Sequence, residues 1–262
     1  EDVVNSVSRK LGLDAHIWSS PTAIIATVRP LGADHAQQGI TRVVRLEPGD
    51  IHLRRLWRFD DIAGRVLRGE LGAAEGMLAL NAAAQPDRPL RQWLETVLGY
   101  LLASAGVAGL LKGSPADIGS AAAMGLMLGV MAQLTPSMPR LAATFEALAA
   151  FLVALLTAWI AADLMPISPR LVLTAGIIVL LPGLSLTTAA IEVASQHLVS
   201  GSARFAGAVA VLLKLGFGAL VGSKLAAWFD WQPLAVLTVE QPLWLRVSSL
   251  LVSAAAFALL FK

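Results

Sequence analysis

The chain has 262 residues, of which 56% are hydrophobic and only 15% charged, with a net charge of +2 and no cysteine. A soluble domain carries about 25% charged residues, so this balance reads as a membrane protein. The missing cysteines exclude disulfides, thiolate metal sites and a cysteine nucleophile, and the lack of a basic stripe with interleaved aromatics speaks against a nucleic-acid partner.

Charge is concentrated at the front. Residues 1–95 hold twelve basic and twelve acidic side chains, against eight and six in the remainder. The first 90 residues read as a soluble α+β domain. "VVNSVSRKLGL" spaces Val3, Val4, Val7 and Leu11 as a helix does, while "TAIIATVRP" and "TRVVRLEP" are β-branched runs forming a hairpin or two sheet neighbours. Asp50 is placed to cap a helix carrying Leu53, Leu56 and Trp57, and short helices follow through "DDIAGRVLRGELGAAEGMLALNAAA". The opening "EDVVNSV" and the end at Phe261-Lys262 read as cuts in a longer protein.

From Trp93 onward the runs reach the ~20 apolar residues that a spanning helix needs. The expected spans are 93–112, 116–135, 141–163, 170–191, 205–227 and 243–261. The expected organisation is a soluble domain at 1–90, a five-helix bundle at 91–228, and a linker with the first helix of a second transmembrane half at 229–262. Small residues four apart (Gly109/Gly113, Gly125/Gly129, Gly218/Gly222) suit close helix packing in lipid. Trp93, Trp159, Trp228, Trp231 and Trp244 stand near span ends, as interfacial aromatics do. With the front domain cytoplasmic, the inner flanks carry Arg88, Arg91, Arg140, Arg204 and Lys262, a bare excess over Lys112, Arg170, Lys224 and Arg246 outside.

The fourth run, "LVLTAGIIVLLPGLSLTTAAIEVASQ", carries the chemistry. Pro182 removes a backbone donor, and Gly183 lowers the cost of non-helical angles. Groups freed in this way inside a bilayer need protein or a water-filled cavity, and broken helices build the sites of many transporters. Ser185, Thr187 and Thr188 then supply hydroxyls to a substrate, or bond back to their own kinked helix. Lys214 and Glu146 are charges within spans, which face a cavity or a partner. Lys214 is the candidate for a substrate carboxylate, Glu146 for a proton carrier; snorkelling, an ion pair or an interfacial position are the plainer readings. Glu192 and Arg204 flank the next loop as a gate or a simple surface pair, and Asp117 and Asp163 read as helix ends facing water. The four histidines lack metal-ligand spacing and no phosphate loop is present, so neither a metal nor another cofactor is expected. No nucleophile–base pair appears, which argues against an enzyme, and ATP-driven pumping would need a separate subunit.

The stretch "LLPGLSLTTAAIEVASQHLVSGSARFAGAVAVLLKLGFG", with the earlier "PTAIIATV" and "RRLWRFDDIAGRVLRGELGAAEGMLAL", resembles the bacterial threonine/serine exporter family. In that family a Pro-Gly turn precedes a hydroxyl-bearing stretch, a short Gly-containing loop and an Arg that opens the next helix. Those elements stand here at Pro182, Gly183, Thr187, Gly201 and Arg204. The resemblance covers most of 1–226. It implies proton-driven export of threonine and serine across the bacterial inner membrane and a second transmembrane half in cis or as a separate subunit, and it leaves a homo-oligomer open. Related members are linked to dicarboxylate export, so a succinate-like substrate stays open, as does a sensor or scaffold built on the front domain.

Overall fold

A computed structural model describes residues 2–20, 23–32, 39–45, 53–85, 89–135, 138–234 and 241–261. Asp50, His35, His52, Arg88 and Lys262 lie outside the described residues, as does most of the connection between the second and third strands. The fold divides into two compact units: Glu1–Asp87 with Ala189–Arg204 and Phe261–Lys262, and Arg88–Thr188 with Phe205–Leu260.

The first unit opens with helix α1 (Asp2–Lys10), which packs on the antiparallel sheet β1 (Leu13–Ser20), β2 (Ala23–Pro30) and β3 (Ile40–Arg45), in the order β1-β2-β3. Register runs from Leu13 opposite Pro30 to Ser20 opposite Ala23, and from Ala23 opposite Arg45 to Val28 opposite Ile40. Strand β1 was not anticipated from its sequence; the two β-branched runs are β2 and β3. Cross-strand partners bond through their side chains, Arg29 to Asp14 at 2.7 Å and Thr27 to Thr41 at 2.9 Å. Helices α2 (Leu53–Leu67) and α3 (Ala73–Ala84) then pack together, with Val66 3.1 Å from where a Cβ of Gly76 would stand.

The remaining elements are helical: α4 (Pro89–Leu110), α5 (Pro115–Leu134), α6 (Pro139–Trp159) ending in a π turn at Ile160–Leu164, α7 (Pro169–Gly176), α8 (Gly183–Ala194), α9 (Leu198–Trp228) and α10 (Leu243–Leu260), with the end of α8 and the start of α9 falling in the first unit and the rest in the second. Proline opens α4, α5, α6 and α7, where its missing N–H costs nothing and its fixed φ suits the first turn. Among the described residues, five helices are long and apolar enough to cross a membrane, and α7 with 178–194 forms a sixth candidate bent by 45°.

Contacts at small residues report the relative directions of these helices. Gly125 of α5 meets Tyr100 and Ser104 of α4, and Gly129 meets Val97, so the pair is antiparallel. Gly99, Gly106 and Gly109 of α4 meet Leu260, Ser253 and Ser249 of α10, again antiparallel. On α9, Lys214, Gly218 and Gly222 meet Ala143, Ala147 and Phe151 of α6 in ascending order on both helices. Helices α6 and α9 therefore run parallel.

Asp117 departs from its expected place in water. It is 2% exposed, its Oδ2 accepts from the Ser114 amide at 2.7 Å and the Ser114 hydroxyl at 2.9 Å, and its Oδ1 accepts from the Ser168 amide at 2.6 Å. One carboxylate thus caps α5 and holds the residue that precedes α7. Asp163 is exposed, as expected.

Candidate functional site at a broken span

The interruption expected at Pro182-Gly183 begins six residues earlier. Helix α7 stops at Gly176, a 3-10 turn covers Ile178–Leu180, and α8 starts at Gly183. Pro182 stands just before α8, where its carbonyl accepts from the Leu186 amide at 3.0 Å. The break is therefore a segment between two helices rather than a kink at a point. Its near edge is Gly176, a weak helix former, followed by the apolar, largely β-branched "IIVLL".

Around Gly176 the bundle closes tightly. A Cβ there would stand 3.0 Å from Val153 Cγ1 on α6 and 3.2 Å from Met124 Cβ on α5. The Ser104 hydroxyl of α4 donates to the Gly176 carbonyl at 3.3 Å. Ala108, Ala121, Met124, Leu128, Ala149, Val153, Val172 and Ala175 form the surrounding apolar core.

The hydroxyls beyond the break divide. Thr187 Oγ1 donates to the Gly183 carbonyl at 3.0 Å, the back-bond common for Ser and Thr in helices. Ser185 and Thr188 are half-buried and have no hydrogen-bond partner among the described residues. Gly183 has open space where a Cβ would go.

The charged candidates come together in two separate pairs. Lys214 Nζ lies 3.4 Å from Glu146 Oε2 and donates to the Ala143 carbonyl at 3.3 Å, bridging α9 and α6. Lys214 stands midway along α9, which begins at Leu198, seven residues before the expected start of the fifth span. Glu192 accepts from Ser200 Oγ at 2.5 Å and from Arg204 at 3.2 Å across the α8–α9 turn. That turn is a Schellman cap: the His197 amide reaches the Glu192 carbonyl at 2.8 Å, the Gln196 amide reaches Val193, and Gln196 takes φ of +65°. Gly201 is required beside it, because a Cβ would stand 2.6 Å from Val193 Cγ2 and 2.9 Å from the Val193 amide nitrogen. Among the described residues, no hydrogen bond or ion pair joins Lys214 to Ser185, Thr187 or Thr188, and no group of three or more metal-ligating side chains occurs.

The family model described as "Putative threonine/serine exporter" matches residues 1–226. The chain belongs to the threonine/serine exporter family. It is 26% identical over 236 residues to pheromone-regulated membrane protein 10 of Candida albicans, in strains WO-1 and SC5314, covering 88% of this chain and 21% of the relative. It is 23% identical to the uncharacterized protein C7D4.12c of Schizosaccharomyces pombe, covering 88% of this chain and 30% of that protein. The chain thus spans less than a third of the length of these relatives. No solved structure matches it. The family stretch from Pro182 to Arg204 covers α8, the Schellman turn and the opening of α9.

Sequence reasoning missed two residues at this place, Ser104 and Gly176. Each sits in a run of small or apolar residues and carries no motif; burial alone marks them.

Proposed function

We propose that the chain is the larger part of a secondary transporter that exports small polar metabolites, threonine and serine first, driven by the proton gradient. The reading rests on the family match over 1–226, and the broken span supports it by leaving helix ends between α7 and α8 beside the half-buried hydroxyls of Ser185 and Thr188. Substrate passes the segment from Gly176 to Thr188, with Pro182, Gly183, Ser185, Thr187 and Thr188 on its far side. Lys214 and Glu146 respond to substrate charge and proton, and Glu192 with Arg204 holds the cytoplasmic turn. The protein acts as a transporter rather than an enzyme.

We also propose six crossings. With α7–α8 as one crossing, α6 and α9 are the third and fifth spans, and run parallel; α4 and α10 are the first and sixth, and run antiparallel. A re-entrant α7–α8 reverses both relations. Residues 1–90 then form a cytoplasmic domain at a bacterial inner membrane, and 229–262 lead into a second half.

The test is flux of labelled threonine, serine and succinate in vesicles holding the full-length protein, with and without a proton gradient. The expected result is gradient-dependent amino-acid flux that Pro182→Ala and Lys214→Gln each reduce at least about tenfold, the order of one charge-assisted contact. Succinate flux in place of threonine and serine keeps the mechanism and replaces the substrate class. No flux from well-inserted protein overturns the transport reading in favour of a sensor.

A further inference from the structure

Exposed apolar side chains on a spanning helix meet lipid and call for no protein partner. An exposed charged pair does. Lys214 has sixteen residues of α9 before it and fourteen after. It therefore stands near the middle of a helix about 45 Å long, away from both headgroup regions. Its ammonium is not stretched toward either end, because the Ala143 carbonyl at 3.3 Å and Glu146 Oε2 at 3.4 Å hold it on α6. Yet the lysine and glutamate side chains remain 43% and 24% exposed. Charges at that depth face a partner or a cavity rather than hydrocarbon. Among the described residues, one ammonium donor and one glutamate oxygen are uncommitted.

The surroundings point to one occupant. A positive and a negative group side by side at one depth are complementary to themselves. A two-fold rotation about the membrane normal sets the lysine of each copy against the glutamate of the other and keeps both copies inserted the same way. The same face of α9 carries Gly207, Ala210, Lys214, Phe217 and Val221, spaced three and four apart and all exposed. Gly207 has open space where a Cβ would go, so a second backbone is able to come close there. Helix α10, from which any continuation of the chain leaves, stands elsewhere. Contacts run from α9 to α6, from α6 to α7, from α7 to α4 and from α4 to α10. The loop after α9 makes the same crossing: its Leu234 amide donates to the Ala161 carbonyl at the end of α6, and its Gln241 side chain donates to the Gly113 carbonyl just after α4. A second half entering through α10 thus starts from another part of the bundle.

We propose that this face of α9 and α6 is the seam between two copies of the chain, with Lys214 of each paired to the partner's Glu146 across a two-fold axis. A cluster of four charges replaces two half-exposed pairs, and the uncommitted donor and acceptor on each side meet. The inference needs the membrane bundle alone and stands apart from the transport reading.

The experiment is oxidative crosslinking of the full-length protein in native membranes, through single cysteines introduced by Ala210→Cys, Phe217→Cys, Leu212→Cys and Leu251→Cys. The expected result is a disulfide-linked dimer for Ala210→Cys and Phe217→Cys, one turn either side of Lys214, and none for Leu212→Cys on the opposite side of α9 or Leu251→Cys on α10. In the Phe217→Cys background, Lys214→Glu and Glu146→Lys should each lose the crosslink alone, since like charges then meet. Differently tagged copies of those two variants, expressed together, should crosslink to each other. If both charge variants fail to insert, the four neutral cysteine variants still decide. A single-chain mass in detergent with no crosslink at Ala210 or Phe217 overturns the seam, and so does a crosslink at Leu251 in their place. Crosslinking that persists in both charge variants overturns the role of the pair.

Discussion

Lys214 on α9 pairs with Glu146 on α6 at 3.4 Å, one turn before Gly218 meets Ala147 on the same two helices. Charge and close packing therefore lie in one seam, and either is able to fix its register. Neutralising one member leaves the other without a counter-charge in an apolar setting, which carries a penalty of about 1–3 kcal/mol. Glu146→Gln and Lys214→Gln should each lower the melting temperature in detergent, and the exchange Glu146→Lys with Lys214→Glu should recover part of the loss. Equal melting temperatures for all variants would show that the pair contributes no stability.

The seam also gives a contrast among glycines. A Cβ on Gly218 collides with the Ala147 carbonyl, whereas Gly207 and Gly216 on the same helix have open space. Gly218→Ala should reduce folded yield strongly, and Gly207→Ala and Gly216→Ala should raise helix stability by up to about 1 kcal/mol each. Comparable yields for all three would mean that α6 and α9 do not cross at Gly218.

Gly183 separates structure from transport. Nothing lies where its Cβ would go, so Gly183→Ala should fold as the wild type does. If that residue lines the substrate path, the added methyl should slow flux several-fold without moving the melting temperature. Flux equal to wild type would remove Gly183 from the path.

Asp117 binds two segments through one carboxylate, so its loss should be felt at both. Asp117→Ala forfeits the carboxylate's half of the α5 capping box, worth about 1 kcal/mol, and leaves the half-buried Ser168 amide without this partner, about 1 kcal/mol more. Asp117→Asn keeps an acceptor for one side only and should fall between. Chemical denaturation in detergent measures the order wild type, Asn, Ala; an alanine variant as stable as wild type would contradict the double role.

The sheet carries a pH-dependent contact. The hydrogen bond from Arg29 is the main cause holding the Asp14 carboxyl below its ordinary value of 3.8, with the charges of Arg29, His16 and Arg9 adding to it. A folded value below the unfolded one means that the stabilisation is present above 3.8 and fades as pH falls through the lower folded value. Asp14→Asn should therefore exchange β1 amide protons faster than wild type at neutral pH, and the two should converge as pH drops below 3.8. A difference that widens in acid would reverse the assignment.

What the sequence made legible follows from how locally each feature is encoded. Pro182-Gly183 announces a break, because proline acts on its own backbone wherever it stands. The upper edge of the break at Gly176 does not stand out, since glycine recurs along these spans and its contacts with Val153, Met124 and Ser104 come from three other helices. Asp117 reads as a water-facing cap because Ser114-Pro115-Ala116-Asp117 is a local pattern; its burial comes from Ser168, fifty-one residues away. Strand β1 escaped notice because "LDAHIWSS" places Asp14, His16, Ser19 and Ser20 among few β-branched residues, and it is held by pairing with β2 rather than by its own preference. The meeting of Lys214 with Glu146 needs the parallel passage of α6 and α9, which no span of sequence between them records.

The opposed course of α4 and α10 has a practical consequence. Gly99, midway along α4, lies against Leu260, so the N-terminal end of α4 and the C-terminal end of α10 point to the same side of the bundle. The chain has no native thiol, and a cysteine introduced singly at Trp93 or at Leu259 is then the only target for a membrane-impermeant maleimide. Both positions should react from the same face of a sealed vesicle, and inverting the vesicle should silence both together.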